Sequence, residues 1–491
     1  AFICYTFSMP ESKKVVTRFA PSPTGYMHIG GVRTALFAWA FARKNKGTFI
    51  LRIEDTDKAR EVEGSIEHII KSLKWLGIEW NEGVDIGGPN APYLQSKRLD
   101  SYKKYANILI EKGLAYADPY TEAEVKEFRK KSEADKKPFL FRDYRPENPP
   151  AWDGTKPLRL KVSEIKSYKW NDLVRGELSA GPEALDDIIL IKSDGYPTYN
   201  FAHIIDDLEM GVTHIMRADE FISSTPKFLS IYEALGIERP EFATLPPIMA
   251  PDGKKKLGKR DGAKDILEYK DEGYLPEAMI NFLAFIGWNP GDEREILSPS
   301  EFIEAFDITK VQKSGGGFNT EKLNWINREH MKSLTESEFL IKLDEHIPQD
   351  FKNKIGDKIN KLVPLIKERI EKFSDIKNMI EIGDLDYFSD RPKYDAAKLI
   401  FKDSTKEAIV ENLKHGYELI DGIKDTDFTQ DSIKETLMNN LDKDKRGPTL
   451  HPIRIALSGL DKSPDPFVIS SILGKSETLE RIKIAMELLA G

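Results

Sequence analysis

The chain has 491 residues, too many for one hydrophobic core, so several domains are expected. With 40% hydrophobic and 31% charged residues it has the composition of a soluble globular protein, and no apolar run reaches the length of a membrane span. A formal net charge of −8 argues against unspecific nucleic-acid binding, but leaves room for an RNA partner met by clustered lysines and arginines.

Residues 1–9, AFICYTFSM, lack the basic stretch and small-residue cleavage site of a secretory signal. They read as a disordered extension, with Met9 the natural start. Cys4 is the one cysteine, which rules out an intramolecular disulfide and a Cys-rich zinc site and fits a reducing, cytoplasmic setting. A β-branched run predicts a strand over 15–19. RFAPSPTGYMHIGG (18–31) follows as a turn and helix start. Pro21 and Pro23 stiffen the turn, and Gly25 and Gly30 allow close backbone approach. A helix over 28–44 closes at Gly47, a strand covers 48–53, and a helix over 65–76 ends at Gly77. This alternation predicts a parallel α/β sheet with ligands at the carboxyl ends of its strands, where 18–31 and 53–57 fall.

A helix over 96–112 closes at Gly113, and then the pattern changes. A charged helix (121–131), the linker YRPENPP (144–150) and strand-like runs at 158–162, 173–178 and 188–191 predict an inserted α+β module. A strand over 213–217 resumes the sheet. From about residue 320 the chain reads as almost wholly helical. Ile359, Leu362, Leu365, Ile366, Ile370 and Phe373 form one buried stripe, and Leu479, Ile482, Ala485 and Leu489 another.

Four constellations carry chemistry. His28 and Gly30 stand at a helix mouth, where backbone N–H groups and the dipole favour phosphate. Taken alone, such a pair is more often a helix cap. KKKLGKR (254–260) sets lysines around a glycine and suits a polyphosphate, although most such runs are solvated loops. LRIEDTD (51–57) places carboxylates at a strand end: Glu54 is read as a partner for an ammonium group, Asp57 as a cap for the following helix. SDGYPTYNFAHIIDD (193–207) and THIMRADE (213–220) offer Tyr199, His203 and Arg217 for a small polar pocket. The bland alternatives are a core histidine for His203 and a surface ion pair for Arg217.

Taken together, these motifs resemble the bacterial-type glutamyl-tRNA synthetases of class I. Residues 28–31 match the family's HIGH element and 256–260 its KMSKS loop. RFAPSPTG, LRIEDTD, the run at 88–106, SDGYPTYNFA, FNTEKLNWIN (318–327) and LHPIRIALSG (450–459) match in order. The resemblance implies a Rossmann-like catalytic domain in two halves (10–114 and 193–240) around an acceptor-stem-binding module (115–192). A stem-contact region bearing the lysine loop (241–325) and an all-α anticodon-binding domain (326–491) follow. It also implies a cytoplasmic monomer that converts glutamate and Mg-ATP to glutamyl-adenylate, once tRNA is bound, and transfers the glutamyl group to tRNA(Glu).

Residue roles follow from the same resemblance. Arg18 and Tyr199 would read the side-chain carboxylate, with Arg217 holding a carboxylate of the same substrate. Ala20, Ser22 and Glu54 would hold the amino-acid end. His28, Gly30 and Glu220 would border ATP, Ile248 would offer backbone contacts to adenine, and Lys256, Lys259 and Arg260 would meet the phosphates.

The chain departs from the pattern at Gly31, Gly258 and His203, where a charged imidazole would attract glutamate's carboxylate. The inserted region has no cysteine, so no zinc is expected. Charging of tRNA(Gln) as well, a catalytically inactive tRNA-binding paralogue and a small-molecule nucleotidyltransferase are the competing readings.

Overall fold

The computed structural model describes residues 14–258 and 264–491. The expected extension at 1–9 and the loop residues Lys259 and Arg260 lie outside the described residues. The chain divides into two compact units: residues up to 270 with 275–326, and 271–274 with 327–491.

The first unit is built on a seven-stranded sheet. Its strands and those of a smaller sheet are, in chain order, β1 (Val16–Phe19), β2 (Thr48–Leu51), β3 (Glu82–Gly83), β4 (Ala115–Ala117), β5 (Leu158–Leu160), β6 (Tyr168–Asp172), β7 (Gly176–Ala180), β8 (Ile189–Ile191), β9 (His214–Ala218) and β10 (Glu241–Leu245). The large sheet runs β3-β2-β1-β9-β10-β6-β7, parallel except for the antiparallel edge pair β6–β7. Strand β1 registers Val16 on Thr48 and Phe19 on Leu51. Helix α1 (Ile29–Lys44) carries the β1-to-β2 crossover, and Val32, Leu36 and Phe37 on it are fully buried. Arg43 and Lys44 in its last turn suit the negative end of its dipole.

Helices α2 (Ser65–Trp75), α3 (Leu99–Glu111), α4 (Glu122–Ala134), α5 (Tyr199–Glu209) and α6 (Thr225–Leu235) complete this frame. A core of Tyr102, Ala106, Leu109, Phe201, Ile204, Ile205, Phe228 and Ile231 joins α3, α5 and α6. Thr121 caps α4 in a capping box with Glu124, the signal that places its start.

The structure redraws the inserted module. Strands β4, β5 and β8 form a separate antiparallel sheet. Strands β6 and β7 instead extend the large sheet beside β10, which itself lies past the boundary expected at 240. The strand expected at 173–178 is a hairpin turn entering β7. The Asp172 carboxylate causes it, accepting the backbone N–H groups of Val174 and Arg175 at 2.9 Å each. Gly176 follows at φ +79°, where other residues are strained.

The second unit is helical from Glu336–Asp344 to Lys475–Ala490. The first expected stripe falls on helix Lys358–Arg369, and Ile370 and Phe373 stay buried just beyond its end. Ile482, Ala485 and Leu489 are buried on the last helix. Helices Lys406–Asp421 and Lys443–Ser458 approach so closely that a Cβ on Gly416 would lie 2.8 Å from Ile453 Cδ1. A larger residue there would require the Ile453 and Thr449 side chains to shift.

Candidate active site

The site is assembled where β1 and β2 end. Arg18 is the third residue of β1, and its Nε donates to Asp207 Oδ1 of α5 at 3.1 Å. Arg52, just past β2 and fully buried, donates from Nη1 to the same oxygen at 2.8 Å and from Nη2 to Glu54 Oε1 at 3.0 Å. Asp206, the neighbour of Asp207 on α5, accepts from Gln95 Nε2 at 2.7 Å, Arg98 Nε at 2.6 Å and the Tyr102 hydroxyl at 3.0 Å. Arg98 also reaches Glu209 at 2.6 Å. Arg18, Arg52 and Arg98 thus face Glu54, Asp206, Asp207 and Glu209 in one nearly neutral network. Burial on this scale is tolerated only because each charge is paired and hydrogen-bonded.

The electrostatics divide these groups. Burial alone would push the Asp207 carboxyl up, but Arg18 and Arg52 outweigh it and hold the group at about 2. For Glu54 burial wins, and its carboxyl rises to about 7 despite Arg52 and Arg18. Glu54 is therefore a buried carboxyl poised to lose its proton when a cation arrives.

Arg18, Ala20, Ser22, Glu54, Tyr199 and Arg217 line one cavity of about 670 Å³. The sequence brings these six together from four separate segments. Arg217, on β9, is 4% exposed and ringed by Phe221, Phe228 and Phe242 at 5.8, 4.9 and 4.7 Å from its guanidinium carbon to the ring centres. Its Nη2 donates to Thr225 Oγ1 at 2.9 Å, while Nε and Nη1 are buried with no hydrogen-bond partner among the described residues. Burial accordingly pulls its pKa down. A surface ion pair is ruled out for this residue. Burial pushes the Tyr199 hydroxyl up, so it remains a donor.

His203 does not line this cavity. It is fully buried, its ring stacked on Tyr199 at 4.7 Å, and its Nδ1 lies 2.7 Å from the Tyr199 carbonyl oxygen. Burial drives its pKa to about 3, so the charged imidazole expected from the sequence is replaced by a neutral one packed behind Tyr199. Asp57 is corrected too. It caps no following helix: Gly64 precedes α2, and Asp57 pairs with Arg60 Nε at 2.7 Å.

Of the residues expected around ATP, the described ones (His28, Gly30, Glu220, Ile248 and Lys256) lie outside the cavity. His28 is the N-cap of α1 and accepts the Gly30 N–H at 3.2 Å. A Cβ on Gly30 would sit 3.1 Å from His28 Cε1, so glycine keeps the imidazole over the helix mouth. Glu220 and Lys256, both exposed, form an ion pair at 2.9 Å. The Ile248 carbonyl is already engaged, accepting from Leu257 N–H at 2.8 Å.

Sequence reasoning missed Thr34, Gln95 and Lys192, which also line the cavity. Gln95 and Lys192 fall within or beside runs that the resemblance covered, the only signal that pointed to them. Among the described residues, no group of three or more His, Cys, Asp or Glu side chains is placed to hold a metal ion. A second cavity of about 980 Å³ lies in the helical unit, lined in part by Arg369, Phe401, His451, Arg454 and Lys462. Neither Arg369 nor Arg454 there has a buried nitrogen without a hydrogen-bond partner, as Arg217 has.

Comparison with known proteins gives a consistent result. Residues 14–325 match the family described as tRNA synthetases class I (E and Q), catalytic domain, and 337–486 match an anticodon binding domain. The glutamate–tRNA ligase of Clostridium acetobutylicum is 40% identical, with 97% of this chain and 99% of the relative covered. Glutamate–tRNA ligase 2 of Thermoanaerobacter pseudethanolicus is 39% identical over 96% and 98%. The crystal structure of a glutamate tRNA ligase from Elizabethkingia meningosepticum, in complex with its amino acid, superposes with a TM-score of 0.83 at 36% identity, covering 97% of this chain and 99% of that one.

Proposed function

The chain belongs to the class I tRNA synthetases of the glutamate and glutamine group, and from that premise we propose how its residues divide the chemistry. The activity is that of a glutamate–tRNA ligase, with glutamate, ATP and tRNA as substrates. One observation carries the assignment of roles: a buried guanidinium with two unpartnered N–H donors, at Arg217, lines the same cavity as the raised carboxyl of Glu54. A zwitterionic amino acid is the complement of that pair, and Arg18 on the same cavity wall adds the positive charge that a second, side-chain carboxylate needs.

Arg217 and the Tyr199 hydroxyl take a carboxylate of glutamate. Arg18 adds positive charge beside them while remaining paired with Asp207. Glu54 receives the ammonium group, giving up its proton, with Ala20 and Ser22 shaping the amino-acid end. An α-carboxylate oxygen then attacks the α-phosphorus of Mg-ATP, the bond to the bridging oxygen breaks, and pyrophosphate leaves. His28, Lys256, Lys259 and Arg260 neutralise the phosphates as charge shifts, the main task in a displacement of this type. Gly30 and Glu220 border the nucleotide and Ile248 meets the adenine. In the second step the terminal ribose hydroxyl of tRNA attacks the activated carbonyl, loses its proton and displaces AMP.

The cavity in the helical unit, with Arg369, His451, Arg454 and Lys462, suits the bases and phosphates of an anticodon loop. No helix among the described residues is long and apolar enough to cross a membrane. The enzyme acts as a monomer in the cytoplasm. The test is glutamate-dependent exchange of labelled pyrophosphate into ATP, with and without tRNA. Exchange that needs both glutamate and tRNA supports the reading, and exchange indifferent to glutamate overturns it.

A further inference from the structure

We propose that Tyr26 is a stacking platform for an unpaired purine base at the rim of the active site. The proposal rests on the reading that ATP and tRNA are the substrates. Tyr26 lies two residues before His28, in the turn between β1 and α1. It is 59% exposed, yet its ring is not loose. It lies nearly parallel to the His68 imidazole, with centroids 4.5 Å apart and an interplanar angle of 15°.

The imidazole beneath it is fixed from both sides. The Met27 N–H donates to Nδ1 at 3.3 Å, which makes that nitrogen an acceptor and assigns the proton to Nε2. Nε2 then donates to Asp265 Oδ2 at 2.7 Å. Asp265 is itself held, because its other oxygen accepts the Leu267 N–H at 2.9 Å. The Ile266 N–H closes the frame on the Met27 carbonyl at 3.0 Å. Backbone on both sides of the stack is therefore tied down.

A rigid, exposed aromatic ring adds nothing to a core. Tyr102, the fold-supporting tyrosine of α3, is 1% exposed with its hydroxyl bonded to Asp206. Tyr26 instead offers a preordered π surface whose use costs little further entropy. Every purine has a face to lay on it, and stacking of this kind needs no hydrogen-bond code. The turn continues directly into His28 and Gly30, so a base on Tyr26 stands beside the groups assigned to the phosphates. Two adenines reach this region, that of ATP and that of the terminal adenosine of tRNA, and the same ring chemistry serves either.

The test compares the full-length wild type with Tyr26→Ala and Tyr26→Phe. Dissociation constants for ATP, tRNA and glutamate are measured by calorimetry, together with KM and kcat at saturating co-substrates. Tyr26→Ala is expected to weaken one of the two nucleic ligands roughly tenfold, with kcat within about twofold and glutamate affinity unchanged. Tyr26→Phe should match the wild type. Loss confined to ATP assigns the platform to the nucleotide, and loss confined to tRNA assigns it to the 3′ end. Unchanged affinity for both overturns the proposal. So does a uniform loss that includes glutamate, which would mark Tyr26 as a support of the fold. Binding needs no turnover. A chain that charges nothing but loses ATP or tRNA affinity on Tyr26→Ala would overturn the activity and keep the platform.

Discussion

Arg18 and Asp207, 189 positions apart in the chain, meet at 3.1 Å through Nε and Oδ1 inside the first unit. Their contact fastens the end of β1 to α5. It also changes what Arg18 does: the residue is part of the frame as well as the wall of the pocket. Arg217 has no such carboxylate partner, and the two arginines therefore lose different things when removed.

Arg18→Ala strands Asp207 with Arg52 alone. Removing one partner of a buried charge pair costs about 3–5 kcal/mol. Denaturant unfolding should show a clear loss of stability together with loss of glutamate use, and Arg18→Lys should recover part of the stability. An Arg18→Ala protein as stable as the wild type would contradict the role of the pair.

Arg217→Ala should do the reverse. Deleting an underpartnered buried guanidinium leaves the fold about as stable as before. Hydrogen bonds to charged groups are worth about 1.5–3 kcal/mol each, so kcat/KM for glutamate should fall roughly 100-fold or more. Steady-state kinetics beside a thermal melt checks both halves, and intact kinetics would remove Arg217 from the substrate.

Glu54 makes glutamate binding depend on pH. Its carboxyl sits at about 7 and must ionise to pair an ammonium group. Between pH 6 and 8 the ionised fraction rises about tenfold, and affinity should rise with it as a proton is released. Calorimetry in buffers of different ionisation heat measures that proton. Glu54→Gln should bind weakly and without the pH dependence.

His203 makes the fold sensitive to acid. Its folded pKa, about 3, lies below the unfolded value of 6.5, so the unfolded chain takes up the proton first. Stability is therefore fully present above 6.5 and falls by about 1.4 kcal/mol per pH unit from there toward 3. Glu54 acts with the opposite sign between its ordinary 4.5 and about 7, because its neutral form is favoured by the fold. The wild-type curve mixes the two. The difference between wild type and His203→Asn isolates the imidazole: the variant should lose less stability on acidification, and identical curves would refute its neutral burial.

Local signals carried much of the site into the sequence. The proline turn and the helix after it announced β1, His28 and α1, and Glu54 stood at a readable strand end. Other features depend on distant partners. Nothing local says that Asp206 and Asp207, adjacent on one helix, both turn inward, because Arg18, Arg52 and Arg98 arrive from three other segments. The same burial makes His203 neutral, which composition cannot show. Strand β6 was missed and β7 assigned to the inserted module because their sheet neighbour, β10, lies some seventy residues on: Phe242 pairs with Asp172. The turn at Asp172 was legible in principle, since an aspartate side chain readily accepts backbone N–H groups two and three residues on, and Gly176 stands at the end of the same short run. Asp57 resembled a cap, but α2 starts only at Ser65, behind Gly64, and the Asp57 carboxylate pairs with Arg60 instead.

The central claim is tested most directly by incubating the enzyme with ATP, labelled glutamate and purified tRNA(Glu) or tRNA(Gln) in separate reactions. The account predicts ATP-dependent label on tRNA(Glu), its rate strongly lowered by Arg217→Ala in a protein that still melts normally. Label on tRNA(Gln) as well would widen its tRNA range without touching the chemistry. No label on either tRNA, from a folded wild-type protein that binds ATP, would contradict the account.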